Sequence, residues 1–288
     1  MLNESFLKRL ETMRLRLRHP AAGGAGGLRR SKALGSSVEF SDFREYAMGD
    51  DLRRVDWNAY GRFEKLFLKL FMEEQEAQVR LLLDASGSMT FGEPSKWETA
   101  ARLAEALCYL SLCGGDTVIV TALQAEGTVS TQPLTGRQGF VKASDFLQKI
   151  MPQGRTDLSA AITKTAFPAG RGISVLISDF LSPNGYETAL KSLQYRTQEV
   201  AALQILCEQE LNPALEDAVQ LVDAETGETM EIMAGYDVLK AYRNTVDSFL
   251  EELRGFCHRN AMMCASLQAE ADLERTLLRE LSRIGLIT

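Results

Sequence analysis

From residue 78 onward the chain alternates short apolar runs with longer stretches of helical period. Val79-Arg80-Leu81-Leu82-Leu83 is an apolar run that ends on Asp84. Trp97 to Leu112 then sets Ala100, Leu103, Ala104, Leu107 and Leu110 on one helical face. Asp116 to Leu123 reads as a strand, and Gly127 to Thr131 is expected to fold back on it as a hairpin. Phe140 to Ile150 reads as a helix, and a second helix opens around Thr156. The run from Ile173 to Ser178 leads into Asp179. A helix from Tyr186 to Tyr195 and a strand from Val200 to Cys207 come next. Val219 to Val222 and Thr229 to Ile232 flank the turn Glu225-Thr226-Gly227-Glu228 and predict a short hairpin. A long helix from about Tyr236 to Arg259, a strand from Ala261 to Leu267 and a helix from Ala271 complete the pattern. Apolar strands alternating with helices predict an α/β domain with a doubly wound, mostly parallel sheet.

The pattern ahead of residue 78 is different. Lys8, Arg9, Arg14, Arg16 and Arg18 interleave with Leu7, Leu10, Met13, Leu15 and Leu17. This predicts a basic helix packed on the domain, with contact to an anionic membrane surface as the lesser alternative. Ala21 to Gly27 reads as a flexible linker. Between residues 38 and 73, carboxylates and guanidiniums alternate with aromatics. Arg44, Arg53, Arg54 and Arg62 are placed to pair with Glu39, Glu45, Asp50, Asp51 and Asp56. Phe40, Phe43, Tyr46 and Trp57 would pack that segment down. The expected division is an N-terminal extension over 1–34, a charged and aromatic segment over 35–75 packed on the main domain, and the α/β domain over 76–288.

Composition narrows the function classes. The 288 residues are 45% hydrophobic and 25% charged, as in ordinary globular proteins. A formal charge of -7 and a pI near 5.1 argue against nonspecific nucleic-acid binding. No apolar run reaches the ~18–20 residues that cross a bilayer. The longest, Ala106 to Leu123, is broken by Gly114-Gly115-Asp116. The first residues lack the apolar core of a signal peptide. Five cysteines, an odd number without metal-knuckle spacing, read as reduced thiols and point to a cytoplasmic protein. With only His19 and His258, a histidine-based triad or zinc hydrolase has little to build on. Neither a phosphate-binding G-x-x-x-x-G-K-[ST] loop nor a G-x-S-x-G elbow occurs.

The candidate chemistry lies where strands end. Asp84-Ala85-Ser86-Gly87-Ser88 puts a carboxylate and two hydroxyls in one loop. Such hard oxygen donors suit Mg2+ or Mn2+. Thr156, in Gly154-Arg155-Thr156-Asp157, and Asp179 add oxygens at two further loops. In an open parallel sheet all three loops would meet at the carboxyl edge of the strands. Taken singly, Asp84, Ser86, Ser88, Thr156 and Asp179 are equally explained as helix caps and turn residues. Their order and shared edge point to a site.

Asp84, Ser86, Ser88, Thr156 and Asp179 resemble, position by position, the metal-ion-dependent adhesion site of von Willebrand factor A domains. The resemblance implies a Rossmann-like fold and a Mg2+ or Mn2+ ion with one position open for a partner's carboxylate. It implies binding without turnover and no small-molecule substrate. The succession Glu39-Phe40, Arg44-Glu45-Tyr46, Gly49-Asp50-Asp51, Arg53-Arg54, Asp56-Trp57 and Arg62 is similar to the signature of the bacterial family called domain of unknown function 58. That resemblance implies a protein partner, a MoxR-type AAA ATPase, in assembly or maturation of other proteins. The alternative is a metal-dependent phosphatase-like hydrolase of a small phosphorylated molecule, with Asp84 at its centre.

Overall fold

The computed structural model describes residues 4–16, 30–31, 39–48, 50, 55–63, 65–74, 78–167, 172–196, 198–213, 218–224, 227–233 and 235–288. In chain order the elements are α1 (Glu4–Leu10), β1 (Arg30–Ser31), β2 (Glu39–Glu45), α2 (Trp57–Phe63), β3 (Phe67–Glu74), β4 (Gln78–Asp84), α3 (Lys96–Cys113), β5 (Thr117–Gln124) and β6 (Gly127–Ser130). Next come α4 (Gly136–Lys149), α5 (Leu158–Lys164), β7 (Gly172–Ser178), α6 (Glu187–Tyr195), β8 (Gln198–Leu206) and α7 (Glu208–Leu211). The last are β9 (Ala218–Val222), β10 (Thr229–Met233), α8 (Tyr236–Arg259), β11 (Met263–Gln268) and α9 (Leu273–Thr276), which continues as a π-helical turn over Leu277–Leu281. The chain divides into two compact units, Met1–Arg16 with Ala77–Thr288, and Leu17–Glu76.

The larger unit is built on a six-stranded sheet of order β11-β8-β7-β4-β5-β6, parallel except for the β5–β6 hairpin. It is the doubly wound, mostly parallel α/β architecture that the strand and helix pattern predicts. Every residue of β7 is buried, and so is every residue of β4 after Gln78. Continuous burial, rather than alternation, marks strands covered by helices on both faces. The charge within the β4 run, Arg80, is buried with its guanidinium 5.4 Å from the centre of the Phe167 ring. Helix α3 starts at a capping box, with Glu98 N donating to Ser95 Oγ at 3.1 Å and Ser95 N to Glu98 Oε2 at 3.3 Å. The long helix matches its expected span, Tyr236–Arg259, but only Leu253, Phe256 and Cys257 of it are fully buried.

Residues 4–16 belong to this unit. The helix is shorter than the basic pattern suggests, ending at Leu10, because Leu15 leaves it to pair with Ile287. Phe6, Leu10 and Leu15 are buried, which anchors the segment to the domain. The glycine-rich stretch 21–27 lies outside the described residues. Among the described residues, no helix is long and apolar enough to cross a membrane.

In the smaller unit β1, β3 and β2 form an antiparallel sheet in that order. Of the expected charge pairs, Arg44 Nη2 meets Asp50 Oδ1 at 2.8 Å, while Asp50 Oδ2 accepts from Ala47 N at 2.8 Å. Glu45 pairs with Lys65 (2.9 Å) instead of an arginine. Asp56 Oδ1 accepts from Asn58 N at 2.9 Å at the start of α2. Arg53, Arg54 and Asp51 lie outside the described residues. Phe43 and Trp57 are 45% and 61% exposed, and Phe43 packs edge to face on Phe67 with ring centres 6.3 Å apart. Helix α2 is too short to hold a buried face, and Trp57 instead meets Tyr60 edge to face, with ring centres 6.3 Å apart.

Gly172 faces Gln78 across the β4–β7 ladder, and a Cβ there would lie 1.9 Å from the Gln78 carbonyl oxygen. Gly172→Ala is expected to cost about 1–3 kcal/mol by forcing the strands apart. Gly255→Ala, inside α8 and facing only the flexible tip of Arg259, should stabilise by about 0.5–1 kcal/mol. Urea unfolding midpoints of the two variants check the opposite signs.

Candidate functional site

Strands β4 and β7 are neighbours, with Leu83 opposite Ile177, so Asp84 and Asp179 emerge side by side at the carboxyl edge of the sheet. Backbone bonds fix the loops around them. Ala85 N donates to Leu123 O at 2.8 Å, Gln153 N to Ala85 O at 3.0 Å, and Gly87 N to Gly154 O at 2.8 Å. The loop carrying Ser86 and Ser88 is thus stitched to the loop carrying Thr156. Gly87 is required by close approach: a Cβ there would lie 2.9 Å from Ala224 O, in the turn after β9, and 3.4 Å from Gly154 O.

The side chains form a connected set. Ser88 Oγ donates to Asp179 Oδ2 at 2.7 Å and lies 3.0 Å from Ser86 Oγ. Asp84 Oδ1 accepts from Ser86 N at 3.0 Å, and Asp84 Oδ2 from Ser178 Oγ at 2.6 Å. Leu181 N donates to Asp179 Oδ1 at 3.0 Å, across a turn in which Phe180 adopts a φ of 63°. Thr156 is buried, and its Oγ1 has no hydrogen-bond partner among the described residues. Hydrogen bonds therefore join Asp84, Ser86, Ser88 and Asp179 into one network, and the stitched backbone brings in Thr156. The cap of α5 is Asp157: its Oδ1 accepts from Ala160 N at 2.9 Å and its Oδ2 from Asn184 Nδ2 at 2.6 Å. Thr156 is thereby spared capping duty.

Burial raises the Asp84 carboxyl to about 6, and the neighbouring Asp179 carboxylate adds to the effect. The bonds from Ser178 and Ser86 pull the other way. One cation answers these charges, and the strand-end pattern gives no hint of it. Lys96 is 1% exposed, with its Nζ 2.8 Å from Asp179 Oδ2 and 2.6 Å from Glu210 Oε1. Burial disfavours its charged form, yet Asp179 and Glu210 more than offset this and hold its pKa above the ordinary lysine value. Helical period does carry a signal for it. Counting back four residues from Ala100 puts Lys96 on the buried face of its helix, where a lysine needs a partner. Gln204 is a further silent member: its Nε2 donates to Asp179 O at 3.2 Å, and its Oε1 accepts from Ser266 Oγ at 2.9 Å.

Among the described residues, no group of three or more His, Cys, Asp or Glu side chains is placed to hold a metal. The donors gathered here are two carboxylates and three hydroxyls, a hard-oxygen set that suits Mg2+ or Mn2+. The orphaned Thr156 Oγ1 fits such an ion, because a buried hydroxyl without a partner costs free energy that a ligand would recover.

The family model described as "Protein of unknown function DUF58" matches residues 42–248. Uncharacterized proteins of Mycobacterium bovis and Mycobacterium tuberculosis are 32% identical over 232 residues, which is 77% of this chain and 72% of theirs. Solved structures of similar fold include the conserved hypothetical protein BatB from Bacteroides thetaiotaomicron. It is 15% identical with a TM-score of 0.43, over 73% of this chain and 98% of that one. The SpRpn10 VWA domain is 10% identical with a TM-score of 0.40, over 72% and 95%.

Asp157→Ala removes the cap of the helix that begins just after Thr156 and should cost about 1 kcal/mol at neutral pH. The bonds from Ala160 N and Asn184 lower the Asp157 pKa from its ordinary 3.8. The stabilisation is therefore complete above that value and is lost as pH falls below it. The gap in unfolding midpoint between wild type and Asp157→Ala should close towards pH 3, as urea titrations at pH 7 and near pH 3 would record.

Proposed function

This chain belongs to the DUF58 family, and on that premise we propose that it is a non-enzymatic protein-binding module. Its carboxyl-edge loops hold Mg2+ or Mn2+ to capture an acidic side chain of a protein partner. Asp84, Ser86, Ser88, Thr156 and Asp179 would hold the ion. The bound ion would supply an electrophilic position for the partner's carboxylate oxygen. The observation that supports the reading is Thr156 Oγ1, buried and unpartnered beside a network in which the other four residues are already joined. With three neutral hydroxyls among five donors, a dication stays short of negative charge and attracts one more. The partner in this reading is a MoxR-type AAA ATPase, met in the cytoplasm, where the five free thiols stay reduced.

A second reading, a phosphatase-like hydrolase, gains from Lys96, which brings an ammonium close to the carboxylates. That ammonium is enclosed between Asp179 and Glu210, however, and both oxygens of Asp84 already accept hydrogen bonds. Neither group is free to take a phosphoryl group.

Calorimetric titration with Mg2+ and Mn2+ tests the proposal. Thr156→Ala should leave the metal-free protein as stable as wild type within about 0.5 kcal/mol, since the hydroxyl has no partner to lose. It should nonetheless weaken ion binding at least about tenfold. Wild-type protein that binds neither ion at millimolar concentration would overturn the reading. Phosphate release from p-nitrophenyl phosphate that Asp84→Ala abolishes would replace it with the hydrolase.

A further inference from the structure

Lys96 has no part in holding the ion, yet its charge is as fully enclosed as that of Asp179. It opens α3, and its ammonium bridges Asp179 to Glu210 of α7. Glu210 is itself fixed, with Oε2 accepting from Cys207 N at 2.8 Å and its backbone oxygen accepting from Tyr242 Oη at 2.7 Å. Asp179 Oδ2 receives both Lys96 Nζ and Ser88 Oγ, and Asp179 Oδ1 receives Leu181 N. Asp179 therefore has three donors, one of them charged. The donors to Asp84, Ser86 N and Ser178 Oγ, are both neutral. The two carboxylates share one edge and have different capacity to accept a cation.

For Asp179 Oδ2 to bind an ion directly, it would have to give up a charge-assisted bond and strand a buried ammonium on Glu210 alone. Breaking one side of a buried ion network is among the costlier changes a protein can undergo. Asp84 gives up nothing comparable. Three carboxylates against one ammonium leave an excess of two negative charges, which one divalent ion balances.

We propose that Lys96 is a positioning residue for the cation site: a tethered ammonium that holds Asp179 back from direct coordination, so that Asp84 and the hydroxyls carry the ion. This rests on the metal-binding function proposed for the site and adds to it the device that keeps the ion electrophilic. With Asp179 neutralised by Lys96, the bound dication has one anionic protein ligand and a standing affinity for a carboxylate from outside. Without Lys96, Asp179 would satisfy the ion internally and the partner would have less to bind.

The test uses the full chain with Mn2+ calorimetry, and Tb3+ luminescence lifetimes in H2O and D2O to count the waters on the ion. Lys96→Met is expected to tighten Mn2+ binding at least about tenfold. Asp179 would then enter the coordination shell, and bound Tb3+ would lose about one water. The affinity of the Mn2+-loaded protein for acetate, the probe carboxylate, should fall. Glu210→Gln leaves Lys96 to Asp179 alone and should weaken Mn2+ about threefold or more, with the water count unchanged. A purely structural role for Lys96 would not move the water count.

A folded Lys96→Met protein with wild-type Mn2+ affinity and water count overturns the proposal. Should Lys96→Met fail to fold, Glu210→Gln decides, and unchanged Mn2+ affinity overturns it. If wild type binds Mn2+ and Thr156→Ala abolishes that binding while both other variants behave as wild type, this inference alone falls. If wild type binds neither Mn2+ nor Tb3+, the metal reading falls and takes this inference with it.

Discussion

Parallel strands buried on both faces deliver their last residues to a single edge, and here two neighbouring strands deliver two carboxylates. Asp84 and Asp179 are both buried at this edge, and like charges in such a place repel strongly. Much of the polar structure nearby answers that repulsion. Ser178 and the Ser86 amide donate to Asp84, while Ser88, the Leu181 amide and Lys96 donate to Asp179. The residues at this edge come from segments far apart in sequence, with Lys96 and Asp179 separated by 83 positions and Lys96 and Glu210 by 114. Only a formed sheet brings them together, so the site depends on the completed fold.

The residues left out of that compensation are equally informative. The buried hydroxyls of Ser111 and Ser174 have no partner among the described residues, while two buried threonines of this unit find one: Thr99 Oγ1 donates to Ala269 O at 2.8 Å, and Thr165 Oγ1 to Ala161 O at 2.8 Å. Thr156 does not, because Asp157 has taken the capping position and the stitched backbone holds the threonine where no acceptor reaches it. An unsatisfied group in a dense polar network is a common mark of a site shaped for something else.

The sheet was legible because its central strands are predominantly apolar runs of the right length despite single polar residues such as Arg80, Ser174 and Gln204, and α8 because its apolar period holds for its whole span. Asp84, Ser86, Ser88, Thr156 and Asp179 were legible as the ends of such runs and the loop between them. Element ends were less so: the helix expected at Ala271 starts at Leu273 with Asp272 as its cap, and α5 starts one residue past the cap that a threonine could equally have formed. What periodicity cannot supply is the partner of a charge. The period places Lys96 on the buried face of α3 but does not name the acids it meets, and Glu210 lies in a four-residue helix with no apolar pattern. The exposure of the aromatic segment was hidden for a related reason. Trp57 and Phe43 carry the composition of a core, but a seven-residue helix and a small sheet offer them edge-to-face contacts with Tyr60 and Phe67 rather than full burial.

Helix α8 has a mechanical consequence. Its last turns dock on the sheet through Leu253, Phe256 and Cys257, while Tyr236, Val238 and Tyr242 remain exposed. From Tyr236 to Ser248 the helix runs about 20 Å at 1.5 Å per residue. Such an arm amplifies: a tilt of about 5° at the docked end sweeps the far end through nearly 2 Å. Tyr242 holds the arm at Glu210, one bond removed from Lys96. The outer half of α8 is therefore coupled to the buried charges through the Tyr242 hydrogen bond, and to the core only through its last turns.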